Sequence, residues 1–425
     1  MTASIPATLR LDNAANIYPA SMSKHYSSLY RMTVTLLEPI DIPLLQEALL
    51  RVSERIPTFR CTLKAGAFWW YLKRCDAQPL VRPVKPLKHF SIQDQDGLLY
   101  RVSVKGQVLM LDVFHALADG NGAMCFLLTL AGEYIRRRYG VAIRYNALVW
   151  DPAEPPAYAE VEDSFKTVFG GRHGQLEQNV DAYHIRGGAL PFSAVKDLRA
   201  VMPADALKTV CHQYGCTVTE LLTAAMLHAL QEEHRADTRS RKRSVLKVSV
   251  PVNLRPVYGS RTVRNFSSYV NLGVDVKDGY LSFAELVAAV RKQKAHDLQK
   301  EQLEPKIAAN VELEEMLLVR LLPLRIKHPI IDIINLLHGD RFCSQTLSNM
   351  GRLDVPEALL PYIQDVDFIL GRQRGNSGAV SCLSYNGRLY LHLTRKIGRD
   401  SFEQAFLKQM SALGIPAELT LDDLA

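Results

Sequence analysis

Apolar and polar positions alternate over residues 29–38, LYRMTVTLLE, and predict a strand. Asp41 then opens a stretch in which Leu44, Leu45, Ala48, Leu49 and Val52 fall on one face at helical spacing, and Pro57 closes it. Further on, LLYRVSV at 98–104 and QVLMLDVF at 107–114 meet at Lys105-Gly106 in the pattern of a hairpin. Residues 122–139 continue as a long helix that Gly140 stops. A strand, a tight loop and a helix are therefore expected to meet at residues 115–121.

The segment DPAEPPAYA at 151–159, followed by Gly170-Gly171, breaks this patterning and reads as a linker. It places a domain boundary near residue 185, with one half at 1–185 and another at 186–425. In the second half Thr217-x-x-Glu220 and Ser282-x-x-Glu285 are capping boxes in front of apolar helical runs, with a strand at 244–253 between them. Helical patterns follow at 305–321 and 330–337, and strands near 344–348 and 364–371. A hairpin at 378–395 turns on Asn386-Gly387, and a helix at 401–413 closes the chain. No close repeat of 20–50 residues is visible, but both halves mix strands and helices in similar proportion, which gives an α/β class.

At 425 residues, with 48% apolar and 22% charged positions, the chain has material for two or three packed domains and is no disordered or fibrous protein. No apolar run reaches the length of a membrane span: Leu221–Leu230 is short, and 329–337 is broken by Asp332 and Asn335. The N-terminus shows no basic segment leading into an apolar run, so a cytoplasmic protein is expected. Seven cysteines without a Cys-x-x-Cys pair argue against a disulfide framework and against structural zinc, and Cys211, His212 and Cys216 lack a second ligand pair. No metal is expected. Lys and Arg outnumber acidic residues by 51 to 44, an excess of +7 spread evenly over the chain, which is no nucleic-acid stripe. It suits an anionic small molecule bound in a cleft.

Several local features have plain structural readings. Arg136-Arg137-Arg138 could meet donor phosphates, but basic groups in the last turn of a helix also complement its dipole. Arg241-Lys242-Arg243 reads as a solvated loop, and Cys125 as a small core residue. Gly120-Asn121-Gly122 lacks the third glycine of a dinucleotide fingerprint.

The most informative segment is Phe114-His115-Ala116-Leu117-Ala118-Asp119-Gly120. A histidine at the end of an apolar strand is held by the sheet, while the loop behind it gives its lone pair access to a hydroxyl or amine proton near neutral pH. Asp119 can hold the loop by pairing with an arginine, and Gly120 permits a backbone geometry closed to other residues. A satisfied core histidine fits the same seven residues.

His-x-x-x-Asp-Gly after such a hairpin resembles the active-site motif of the chloramphenicol acetyltransferase-like superfamily, which includes condensation domains, polyketide-associated acyltransferases and alcohol O-acetyltransferases. Three further segments resemble theirs in the same order: 54–60, ERIPTFR; 251–256, PVNLRP; and the loop Ser348-Asn349-Met350-Gly351. The resemblance spans nearly the whole chain. It implies two α/β sandwich domains in a V, with a tunnel between them entered by a thioester donor and an acceptor. It also implies His115 as the general base, Asp119 as a shape-holding residue, and coenzyme A as co-substrate with no permanent cofactor. The oxyanion would draw on the Gly120 N–H and on Ser348 or Asn349, each such donor being worth about 2.7–4 kcal/mol. Arg255 either pairs with Asp119 or reaches substrate.

Many condensation domains carry two adjacent histidines, and here the first is Phe114. This leaves the chemistry intact and favours a free-standing O-acyltransferase, with an acyl-CoA donor and a small alcohol or amine acceptor. The alternatives are an amide-forming condensation enzyme fed by an acyl carrier protein, and a non-catalytic member of the fold.

Overall fold

The structure is a computed structural model that describes residues 5–22, 28–87, 90–175, 180–191, 194–238, 243–327, 329–331, 340–372 and 374–423. Its N-terminal part contains, in order, β1 (Thr8–Arg10), α1 (Ile17–Ser21), β2 (Leu29–Leu36), α2 (Ile42–Arg55), β3 (Cys61–Ala65), β4 (Trp70–Arg74), β5 (Val81–Arg82), β6 (Tyr100–Lys105), β7 (Val108–Phe114), α3 (Gly120–Tyr139) and α4 (Ser164–Phe169). There follow β8 (Lys196–Pro203), α5 (Ala204–Tyr214), α6 (Val218–Ala236), β9 (Val245–Asn253), α7 (Arg255–Tyr258), β10 (Ser267–Asp275), α8 (Phe283–Asp297), α9 (Lys300–Glu315) and α10 (Leu317–Leu321). The chain ends with β11 (Gln345–Arg352), β12 (Ile363–Leu370), β13 (Gly378–Tyr385), β14 (Arg388–Arg395), a helix at Ser401–Ala412 and β15 (Glu418–Asp423). Among the described residues no helix is long and apolar enough to cross a membrane.

Local chemistry sets the element ends. Asp41 caps α2 by accepting the Leu44 N–H at 3.0 Å, and the helix buries Leu45, Ala48, Leu49 and Val52 against the first core. Asp119 caps α3, which starts two residues before the sequence pattern indicates, and Gly140 closes it at φ +68°. Both capping boxes form, at Thr217 with Glu220 and at Ser282 with Glu285. Asn386 and Gly387 have φ of +44° and +76°, as a two-residue hairpin turn requires.

Two sheets carry the molecule. One runs β12-β2-β7-β6-β5 and packs on α2 and α3; the other runs β10-β9-β11-β13-β14-β8-β15 and packs on α6, α8 and the closing helix. A small third sheet, β1-β4-β3, flanks the first core. Strand β12 belongs late in the chain yet pairs antiparallel with β2, with Val366 opposite Val34 and Phe368 opposite Met32. A buried ion cluster fastens this returning strand to the second sheet. His392 of β14 bonds Asp197 of β8 at 2.7 Å and Asp367 of β12 at 2.9 Å, and the Arg199 Nε donates to Asp367 at 2.8 Å.

Two stretches depart from the sequence reading. The helical pattern of 305–321 becomes α9, which starts at Lys300 and runs through Pro305, and α10, with a break at Met316. Pro305 sits in the second turn, where its fixed φ suits the helix but its ring removes one N–H and crowds the Glu301 carbonyl, a local cost that does not mark the helix start. The segment 348–351, expected as a loop, lies inside β11, with a register shift against β13 between Asn349 and Arg352. Most of the 330–337 pattern lies outside the described residues, as do Arg241 and Lys242. Arg136 and Arg137 bond Glu133, and Arg138 bonds Glu38, so these three serve the end of α3.

Candidate active site

Strand β7 buries Leu109, Leu111, Val113 and Phe114, and Phe114 stacks on Phe90 inside the first core. His115 is thus the first residue free of the sheet, and its N–H still reaches the Ser28 carbonyl at 3.1 Å. The loop behind it tightens through the Leu117 N–H to the Phe114 carbonyl at 2.9 Å, and the buried Tyr30 hydroxyl donates to the Ala118 carbonyl at 2.9 Å. Backbone and core packing therefore fix the imidazole from its own side of the chain.

The ring is half-buried. Tyr18 of α1 stacks on it at 4.3 Å between centroids, and Tyr30 meets it edge-on at 5.1 Å. Its Nδ1 lies 3.1 Å from the Asn265 Oδ1, while the Asn265 Nδ2 donates to the buried Asp12 Oδ2 at 3.3 Å. Burial raises the Asp12 pKa to about 7; where Asp12 is ionised, the amide that gives it an NH2 proton presents its oxygen to Nδ1, which then carries the proton. Nε2 is then the lone-pair nitrogen, and no described group bonds it. Burial lowers the His115 pKa below its ordinary 6.5, partly offset by its hydrogen bonds and the Asp119 charge. The ring is neutral at pH 7.

Asp119 does not touch His115. One carboxylate oxygen accepts the Gly122 N–H at 3.1 Å, the other the Phe266 N–H at 3.0 Å, and Arg255 closes a two-pronged pair at 2.9 Å on both. One carboxylate thus ties the start of α3 to the segments on either side of the 259–265 turn. The expected pairing of Asp119 with an arginine is present, and the arginine is Arg255. Its remaining donors go to the Thr262 carbonyl, Asn253 Oδ1 and the Arg264 carbonyl. All five guanidinium N–H groups are spent inside the protein, which leaves none for substrate.

Gly120 corrects a sequence expectation. It is the first helical residue of α3 and has no left-handed φ, and a Cβ there would meet only the Met32 and Met350 side chains at ordinary contact distances. The glycine that packing demands is Gly122, where a Cβ would fall 1.9 Å from the Val263 carbonyl oxygen. The Gly120 N–H belongs to the first turn, whose donors have no acceptor within the helix.

The end of β11 faces this loop, since Met350 lies beside Gly120. Leu347 and Asn349 point the other way, into the second core and onto Thr219, to which the Asn349 Nδ2 donates at 3.0 Å. The Asn349 Oδ1 accepts the Gly351 N–H at 2.8 Å, so this side chain already braces its own strand. Ser348 alternates to the face of Ser381, whose hydroxyl bonds the Phe368 carbonyl of β12. Arg55, from the 54–60 segment, makes a two-pronged pair with Glu160 and lies over Trp150, away from His115. Burial pushes the Cys125 thiol up to about 12, against a nucleophilic role. Among the described residues no three His, Cys, Asp or Glu side chains converge on a point that could hold a metal.

Asn265, Asp12 and Tyr18 carry the geometry of the imidazole, and none was singled out from sequence. Each is a common residue without a motif, and Asn265 lies 150 positions from His115. Only the fold brings them together.

No family model matches the chain, and no curated protein matches it. Solved structures do. TRI101 of F. graminearum, complexed with coenzyme A and deoxynivalenol, superposes with a TM-score of 0.67 at 11% identity over 97% of this chain and 99% of its own. Polyketide synthase associated protein 5 of Mycobacterium tuberculosis gives 0.64 at 15% identity over 96% and 99%. The TRI3 trichothecene 15-O-acetyltransferase of Fusarium sporotrichioides gives 0.61 at 11% identity over 97% and 96%. At such identities the likeness shows the fold alone: two chloramphenicol acetyltransferase-like α/β domains.

Proposed function

We propose that the protein is a coenzyme A-dependent acyltransferase that moves an acyl group from the thioester to an acceptor hydroxyl. The observation that carries this reading is the half-buried His115, kept neutral by burial, with Nδ1 against the Asn265 Oδ1 and no described group on Nε2. Nε2 takes the acceptor proton as the acceptor oxygen attacks the thioester carbonyl; when the tetrahedral intermediate collapses, the C–S bond breaks and the thiolate recovers that proton. The Gly120 N–H and the Ser348 hydroxyl are the proposed oxyanion donors, while Asn349, turned onto Thr219 on the opposite face, braces β11. Asp119 and Arg255 keep the loop in shape. Donor and acceptor enter through a tunnel between two halves arranged as a V, at 1–185 and 186–425, with β12 crossing back. The coenzyme A in the TRI101 complex supports the choice of donor.

The test is a donor panel. Acyl-CoA thioesters of increasing chain length and acyl carrier protein thioesters are offered with mixed small alcohols and amines, and thiol release is followed. Turnover of acyl-CoA with an alcohol supports the reading. Turnover of the carrier thioesters alone, with amines as acceptors, would replace it by amide-forming condensation.

A further inference from the structure

We propose that Asn265, anchored by Asp12, is a positioning residue that holds His115 in the Nδ1–H tautomer and so assigns the base to Nε2. This rests on the reading of His115 as the base and adds to it the group that sets the base's proton.

Hydrogen-bond polarity sets the orientation of the Asn265 amide. The buried Asp12 Oδ1 accepts the Ala15 N–H at 2.8 Å, and its Oδ2 faces both the Asn265 Nδ2 and, at 3.6 Å, the Arg264 guanidinium. Burial raises the Asp12 pKa to about 7, so above that pH it is a carboxylate that faces donors on every side and cannot meet the oxygen end of an amide, which orients Asn265 with Oδ1 toward His115. Neighbouring backbone holds Asn265 in place: the Phe266 N–H goes to Asp119, and the Arg264 N–H goes to the Thr262 hydroxyl at 3.3 Å. The partner is a neutral amide. It orients the ring without the charge that would favour imidazolium, and it shares that hold with a hydrogen bond from the ring to the His115 backbone itself; the other groups around the ring are Asp119, Tyr18, Tyr30 and, one shell out, Asp12, Arg255 and Arg264. The segment 8–21 thereby supplies two supports at once, Asp12 behind the amide and Tyr18 against the ring face.

The test combines a tautomer measurement with kinetics on the full chain. In 15N-histidine-labelled protein, the wild-type His115 ring should show a protonated Nδ1 and a bare Nε2. Asn265→Ala should move it toward a mixture of tautomers, because the bond to the His115 backbone remains, and lower kcat by about tenfold to a thousandfold, with KM for acyl-CoA within about threefold, a loss no larger than that of removing the base itself. Asn265→Asp sets a carboxyl beside Asp12 in place of the amide donor, and the pair shares a proton at neutral pH; the face toward His115 remains an acceptor, so this variant should keep more of the Nδ1–H tautomer than Asn265→Ala. Asp12→Ala should act like Asn265→Ala in direction, with a smaller loss. A folded Asn265→Ala protein that keeps the wild-type tautomer overturns the proposal, whatever its activity. The tautomer is read without substrate, so a protein that shows the predicted shift yet transfers no acyl group contradicts the acyltransferase reading and leaves the Asn265 assignment standing.

Discussion

Two histidines in this molecule, His115 half-buried and His392 buried, meet opposite electrostatic fates. His115 faces a neutral amide, and burial lowers its pKa, so it stays uncharged and basic. Burial alone would do the same to His392, but Asp197 and Asp367 flank it at 2.7 and 2.9 Å and raise it to about 9, so it is a cation at neutral pH. The first is surrounded so that it can accept a proton. The second holds one at neutral pH, and its charge joins β8 and β14 of one sheet to β12 of the other. The difference lies in the partners each fold position supplies.

The comparison predicts separable losses. His115→Ala should lower turnover by about a hundredfold to ten-thousandfold, the usual worth of a positioned base, while thermal melting changes little. His392→Ala should do the reverse. It strands the buried Asp197 and leaves Asp367 with Arg199 alone, so it should cost about 3–5 kcal/mol in denaturant unfolding, with activity per folded molecule close to wild type below the melting range.

Asp119 sharpens the contrast from the side of the site. Asp119→Ala leaves the Arg255 guanidinium without its carboxylate, with an expected loss of about 3–5 kcal/mol of stability alongside lost turnover. Asp119→Asn, which keeps the shape and some hydrogen bonds, should cost less. A double-mutant cycle with Arg255→Ala should show strong coupling in both melting and rate, whereas additive losses would mean the pair does not act as a unit.

The pH dependence separates the two rings more gently. The raised pKa of His392 contributes stability that is fully present below about 6.5, the unfolded value, and is lost as pH rises through about 9. The lowered pKa of His115 works in the other sense: the unfolded chain takes up its proton first, so stability falls as pH drops below 6.5 toward the folded value. Unfolding of wild type and His392→Phe from pH 6 to 10 would show the alkaline slope disappear with the histidine; a slope that persists in the variant places its origin elsewhere.

What could be read in the sequence was what is local or tied to a motif. The capped helices, the Asn386-Gly387 turn and the strand–loop–helix junction at His115 all follow from residues a few positions apart. The Asp119–Arg255 pair was within reach because both residues stand in recognisable segments. Long-range placement was not legible. Nothing in 363–370 says that this strand pairs with 29–36, because an alternating strand fits the edge of either sheet. Gly120 drew attention by its place in the motif, while the steric need for glycine arises at Gly122, from a carbonyl 141 positions away. Asn265 and Asp12 have no sequence signal because their work is defined by an imidazole that the fold brings to them.

The central claim is that a neutral His115 supplies the base for thioester chemistry, and the pH profile of thiol release from acyl-CoA tests it most directly. For wild type the account predicts an acid limb with a midpoint below 6.5, set by the lowered His115 pKa. Folded His115→Ala should lack that limb and run at least about a hundredfold slower at pH 7.5. A folded His115→Ala protein with the wild-type rate and the same limb would contradict it.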